Sequence, residues 1–324
     1  MTLPKLKPKT RSWLVLLLLS LAGGVIVRIL LNSSYSGTAL VYLGMPWLVA
    51  VALALSTHFD GDPEESLDGT GGSWIVRGSL IVMLGSSFLL GEGFVCVLMF
   101  LPIYLLMVAV VAGTYHVTKM LSDDDSKLQR IHLLPLLIGL FALEGTHPNL
   151  SFERQGSVAV AQVTSVDKEQ LWANLREPMV LNRSRSGGLS TLFPQPVRID
   201  IDTFAVGAVH KVHYRYARWL WTNVHEGTLE LRVTESTSNT ITAEVVSNSS
   251  YLANYLDIER LRLTITEQPG GFSKVTLNID YRRTLDPAWY FAPLIRLALK
   301  GTASHIIETH FLRKEKIPAP LATQ

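Results

Sequence analysis

Nearly all the long apolar runs of this chain lie before Glu144, and alternating apolar–polar patterns follow it. That partition limits the fold more than any motif does. An apolar run of about 20 residues suits a helix crossing a hydrocarbon layer ~30 Å thick. Alternation with period two suits a strand with one buried face. One chain carrying both in succession reads as a membrane part followed by a globular part. Composition agrees: of 324 residues 48% are hydrophobic and only 17% charged, against about 25% charged in ordinary soluble domains. The mean hydropathy is +0.26.

Residues 1–146 are expected to form an α-helical transmembrane domain with four or five spans, at about 13–31, 39–57, 74–90, 94–116 and 131–143. The last is short and is marginal as a span by itself. The first is too long and too poorly terminated for a cleaved signal peptide. Lys5, Lys7, Lys9 and Arg11 precede it, and cytoplasmic flanks favour Lys and Arg. The N-terminus is therefore expected inside. Five spans place the C-terminal part outside the cytoplasm and four leave it inside; five is the reading adopted. On that topology Arg28, Glu92 and Glu144 form a membrane polar site near the outer face. Ionisable groups within spans pair or face the bundle interior, so this is either a functional site or a structural ion pair.

Residues 157–313 alternate, and 314–324 form a tail. Asp167–Leu175 reads as a short helix with Leu171 and Trp172 inward. A run of strands follows. Their inward residues are Val212, Tyr214 and Tyr216, then Leu229, Leu231 and Val233, then Ile241, Ala243 and Val245, then Leu261, Leu263 and Ile265. Gly270-Gly271 turns the chain into a last strand in which Val275, Leu277, Ile279 and Tyr281 alternate with polar residues. Strands without intervening helices imply a mostly antiparallel sheet. Asp286-Pro287 then opens a long helix, Asp as N-cap and Pro at the first position, expected to run to Leu312. At ~100° per residue Phe291, Leu294, Ile295, Ala298, Thr302, His305, Thr309 and Leu312 share a face. That face starts apolar and turns polar, which suits a cavity wall better than a dry core.

This order, with these residues, resembles the helix-grip superfamily called SRPBCC, which includes START domains and polyketide cyclases. The pieces are Val166–Trp172, Pro194-Gln195-Pro196 with Val206-Gly207-Ala208, Glu226–Leu229 with Val233-Thr234-Glu235, and Tyr281–Phe291. The polyketide cyclase/dehydrase-like branch is the closest in these pieces. Gly91-Glu92-Gly93 and the apolar stretch through Cys96, Met99 and Pro102 resemble the membrane part of bacterial proteins that carry such a domain. The resemblance implies an α+β helix-grip domain: a curved antiparallel sheet wrapped round the C-terminal helix, with a ligand cavity between them. It does not imply an enzyme.

The residues weigh against several chemistries, although spacing alone leaves a Ser-His-Asp triad open. His210 and His213 are three apart on a strand and point to opposite faces. His305 and His310 are five apart on a helix, about 140° round it. Neither pair chelates locally, Cys96 is the one cysteine, and no metal or cofactor is expected. No Gly-x-Ser-x-Gly elbow and no phosphate loop is present. A net charge of +2 argues for no nucleic-acid partner. Trp219 and Trp221 suit a bilayer interface more than base stacking. The expected activity is membrane-anchored binding of an apolar or amphipathic, lipid-like small molecule at the bacterial inner membrane. Its expected contacts are Val212, Tyr214, Tyr216, Leu231, Leu263, Leu277, Tyr281, Ala298, Thr302, His305 and Thr309, with the ligand's polar end near His305. Two alternatives stay open. One is a cyclase/dehydrase-type enzyme using acid–base chemistry, with His305 its best candidate. The other is an interaction module acting on a membrane partner. A binder needs a roomy apolar cavity, an enzyme needs converging polar groups, and a module needs a filled interior.

Overall fold

The structure, a computed structural model, describes residues 26, 29–30, 36–59, 70–90, 94–120, 137–138, 140–176, 179–180, 195–201, 203–219 and 222–308. They fall into two compact units, Met1–Glu153 with Leu285–Phe291 and Arg154–Thr284 with Ala292–Gln324.

The first unit is helical. A π-helical turn, Leu40–Gly44, leads into α1 (Met45–Phe59), followed by α2 (Thr70–Leu90) and α3 (Phe94–Met120). Val49, Leu53, Ile75, Val82, Tyr104 and Val108 pack into one core. The Tyr104 hydroxyl donates to the Ser79 carbonyl at 2.7 Å, so its one polar atom enters that core satisfied. Many of the large side chains on the outside are apolar too, among them Leu48, Ile81, Leu84, Leu98 and Leu106. Among the described residues one stretch, Val97–Val117, is both long and apolar enough to cross a membrane; Leu40–Ala54 and Ile75–Gly85 are shorter apolar helices. Most of the expected 13–31 and 131–143 spans, with Arg28 and Glu92, lie outside the described residues.

Glu144 is buried, and one of its contacts is at a helix end. Its carboxylate accepts the Ala288 N–H at 2.8 Å, the first of helix α5 (Ala288–Ile306). The Asp286 N–H donates to the Gly37 carbonyl at 2.7 Å, and the Ala39 N–H to the Glu144 carbonyl at 3.0 Å. The Pro287 carbonyl accepts from Tyr290 and Phe291, so the N-cap is Pro287, one residue beyond the expected Asp286. A carboxylate at a helix N-terminus is stabilised by the unpaired N–H groups and the helix dipole. Here Glu144, distant in sequence, supplies one to Ala288, which a rule built on neighbouring residues cannot foresee. Helix α5 is α-helical to Ile306 and Ile307 and Glu308 follow in a π-helical turn; the expected end at Leu312 lies outside the described residues.

The second unit is built on one curved antiparallel sheet. Its strands are β1 (Gln155–Thr164), β2 (Met179–Val180), β3 (Gln195–Asp200), β4 (Val209–Trp219), β5 (Thr222–Ser236), β6 (Thr240–Asn248), β7 (Leu256–Gln268) and β8 (Phe272–Arg283). Helix α4 (Lys168–Arg176) follows β1. The sheet order is β1-β8-β7-β6-β5-β4-β3-β2, so first and last strands are neighbours. The alternation expected from sequence holds. Leu229, Leu231, Val233, Ile241, Ala243, Leu263, Ile265 and, in β8, Val275, Leu277, Ile279 and Tyr281 are all buried, each large side chain contributing ~1.5–3 kcal/mol.

Curvature comes from bulges, which the alternation does not reveal. Ile258 pairs with Tyr281 and Arg260 with Asp280, leaving Glu259 extra; Leu231 pairs with Val245 and Glu230 with Ser247, leaving Val246 extra. A bulge bends its strand and strengthens the twist. Across Glu259 the parity of β7 changes, so Ile258 and Leu261 both face inward. Helix α5 runs along the concave side, with Ile295, Leu299, Ala303 and Ile307 of this stretch buried. Each four-residue step over-rotates by about 40° at ~100° per residue, so the buried stripe winds round the helix as the curved sheet does. The second unit is thus a helix-grip arrangement.

Candidate functional site

Between sheet and helix lies a cavity of about 170 Å³. Its walls are apolar: Leu229 and Leu231 of β5, Ile258 and Leu263 of β7, Leu277 and Ile279 of β8, Leu299 and Ile306 of α5. Three polar side chains join them, His210 and Tyr214 from β4 and Thr302 from α5. An apolar enclosure with a few polar groups is the usual form of a small-molecule site. The volume is close to that of the engineered ~150 Å³ apolar cavity that takes up benzene.

Period two brings the β4 residues together. His210, Val212 and Tyr214 are two apart and share the inner face. His210 and Tyr214 are separated by about 13 Å along the strand at ~3.3 Å per residue. His210 is 7% exposed, and its Nε2 lies 2.7 Å from the Thr203 carbonyl oxygen. Its ring meets Phe204 edge to face at 5.3 Å, and Phe204 meets Trp172 at 6.5 Å. The segment before β4 sets this up. The Ala205 N–H donates to Thr203 Oγ1 at 2.9 Å, and Gly207, at φ +92°, donates its N–H to the Val233 carbonyl at 2.8 Å. A side chain at that φ is strained, so glycine suits the turn. Tyr214 is buried, and burial pushes its phenol up to about 12. Among the described residues neither its hydroxyl nor that of Thr302 has a side-chain hydrogen bond.

Of the residues singled out from the sequence, Val212, Tyr214, Leu231, Leu263, Leu277, Ala298 and Thr302 line the cavity. Three described ones do not. Tyr216 is buried against Tyr251, stacked at 4.7 Å. Tyr281 lies over Gly156, where an added Cβ would come within 2.6 Å of its ring. His305 is half-buried and off the cavity face. The expected polar helix face passes through positions 302, 305 and 309, whereas the cavity side of α5 runs through Ala298, Thr302 and Ile306. Thr309, Trp221 and the side chain of Trp219 lie outside the described residues.

Sequence reasoning leaves out His210, although it continues the parity of Val212 and Tyr214. It leaves out Ile258 because the Glu259 bulge hides it, and Leu252 because it sits in the β6–β7 connection. That connection fits against β5 because Gly227 has no side chain: a Cβ there would meet the Ser249 carbonyl oxygen at 2.3 Å. On the other face of β4, His213 Nε2 bonds Asp200 Oδ2 at 2.8 Å. That bond, with Arg198 beside it, holds the Asp200 carboxyl below the usual carboxylate range.

No family model matches the chain, and no curated protein matches it. Solved structures similar to it include ginseng major latex-like protein 151 from Panax ginseng, 14% identical with a TM-score of 0.29, covering 48% of this chain and 97% of that one. A START superfamily protein from Mycobacterium smegmatis is 10% identical with a TM-score of 0.30, over 48% of this chain and 95% of that one. Norcoclaurine synthase from Thalictrum flavum, in complex with dopamine and hydroxybenzaldehyde, is 12% identical with a TM-score of 0.31, over 50% and 90%.

Proposed function

We propose that this protein binds an apolar or amphipathic small molecule in its helix-grip cavity while anchored in a membrane. The observation that carries the reading is the cavity itself: apolar walls with three polar side chains set among them. A filled interior would have suited an interaction module instead. The polyketide cyclase/dehydrase-like resemblance belongs to this proposal as the family branch, with 157–313 as the binding domain and 1–146 as the membrane domain.

Several observations support the anchor. Val97–Val117 has the length and apolarity of a span, and the helices of the first unit carry exposed leucines and isoleucines as well as buried ones. Helices with apolar surfaces inside and out suit a lipid surround. We assign the protein to the bacterial inner membrane with five spans and the binding domain outside the cytoplasm. A reporter fused after Gln324 tests the assignment, since a cytoplasmic signal there rejects the five-span topology.

Binding is tested by filling the cavity. Ala298 lines it, while a Cβ on nearby Gly301 would meet open space. In detergent, with protein-free micelles as the blank, the parent is expected to take up naphthalene saturably. Ala298→Trp should lose that uptake and melt no lower than the parent. Equal uptake by both chains would reject the cavity as the binding site.

A further inference from the structure

We infer that His210 is the residue that selects the ligand, and that it selects a hydroxyl-bearing apolar ring compound whose O–H donates to His210 Nδ1. The inference rests on the binding reading above and names the ligand class for that site.

A carbonyl oxygen only accepts, so the contact between His210 Nε2 and the Thr203 carbonyl at 2.7 Å requires the hydrogen on Nε2. In the neutral ring the other nitrogen, Nδ1, is then an acceptor and nothing else. Among the described residues no protein donor reaches it. The ring cannot readily turn to seek one. It is held by the Thr203 bond and by the edge-to-face contact with Phe204 at 5.3 Å and 80°. The Thr203 carbonyl is itself fixed by the turn through Gly207, whose N–H donates to Val233 at 2.8 Å and whose neighbour Ala208 accepts from Val233 at 2.9 Å. The result is a preoriented acceptor on a side chain that lines an apolar cavity.

The other two polar groups differ in kind. The hydroxyls of Tyr214 and Thr302 rotate and either donate or accept, so they satisfy a ligand of either type. His210 Nδ1 is satisfied only by a donor. A buried group left unpaired is costly, and a site built to hydrogen-bond a hydroxyl discriminates strongly against the analogue that lacks it. Discrimination at this cavity therefore falls to His210. The cavity volume of about 170 Å³ limits the body of the ligand, or the part of it held there, to a compact ring system.

Three probes separate the possibilities: naphthalene, 2-methoxynaphthalene, which only accepts, and 2-naphthol, which also donates. Each is titrated into the detergent-extracted full chain and into His210→Gln. Glutamine keeps an N–H donor for the Thr203 carbonyl and removes the ring acceptor. The preference for 2-naphthol over 2-methoxynaphthalene is expected to fall about fivefold in His210→Gln, the weight of one neutral hydrogen bond. A melting curve beside the parent's shows whether the variant is folded. An unchanged preference in a His210→Gln protein that melts with the parent overturns the His210 assignment and leaves the cavity reading standing. If no probe binds the parent, both fall. If His210→Gln does not fold, His210→Asn serves in its place, since its Oδ1 accepts where Nδ1 did; loss of the 2-naphthol preference in His210→Asn overturns the assignment.

Discussion

Tyr214 shows how one side chain links burial to a measurable property. Its phenol is removed from water inside the cavity wall, and burial alone pushes it from its ordinary value of 10.0 to about 12. The unfolded chain therefore ionises first as pH rises. The stabilising contribution is fully present below about pH 10 and is lost as pH climbs through about 12, on the order of 3 kcal/mol in all. The parent should lose melting temperature more steeply than Tyr214→Phe across that window, and parallel profiles would contradict a buried phenol. Tyr214 is legible in the sequence because its parity matches Val212 and Tyr216. His305 stands out on chemistry, as a histidine on a helix face turning polar. On that last turn the cavity lining is Ile306 and not His305, and chemistry does not report which side chain of a turn reaches a wall.

At the scale of elements, period two identifies the inward residues of β5 and β8 and the start of β6, Ile241 and Ala243, because those stretches are buried, whereas the expected Val245, beside the Val246 bulge, is only half-buried. It fails on β7 where Glu259 bulges out of the pairing, since one extra residue reverses the parity of everything before it. Helix α5 is legible from Pro287 onward. What sits at its N-terminus is not, because the carboxylate on the Ala288 N–H belongs to Glu144. That contact joins residues far apart in sequence, and no local signal carries it. Glu144→Gln keeps a weaker acceptor and removes the charge. It should cost about 1 kcal/mol of stability, the usual range for a helix cap with its dipole term, read as a lower melting temperature in detergent. Glu144→Ala should cost more. A Glu144→Gln protein that melts with the parent would show that the charge contributes nothing there.

The whole molecule combines a helical unit with apolar surfaces and a sheet unit that encloses a cavity. The change of hydrophobic pattern at Glu144 lies near the division after Glu153, but the first unit also takes Leu285–Phe291, which no change of pattern marks. The cavity is legible only as an expectation, because whether facing side chains meet or leave room depends on sheet curvature and bulge position rather than on composition. Seven of the expected contact residues line it, and His210, the polar group proposed to give it selectivity, shares their strand parity but is singled out only by its contact with Thr203. The most direct measurement is native mass spectrometry of the detergent-extracted full chain, released gently from the micelle, beside Ala298→Trp prepared identically. The account predicts one apolar, hydroxyl-bearing molecule retained per parent chain and none on Ala298→Trp. Parent chain at the bare polypeptide mass, or the same adduct on both proteins, would contradict it.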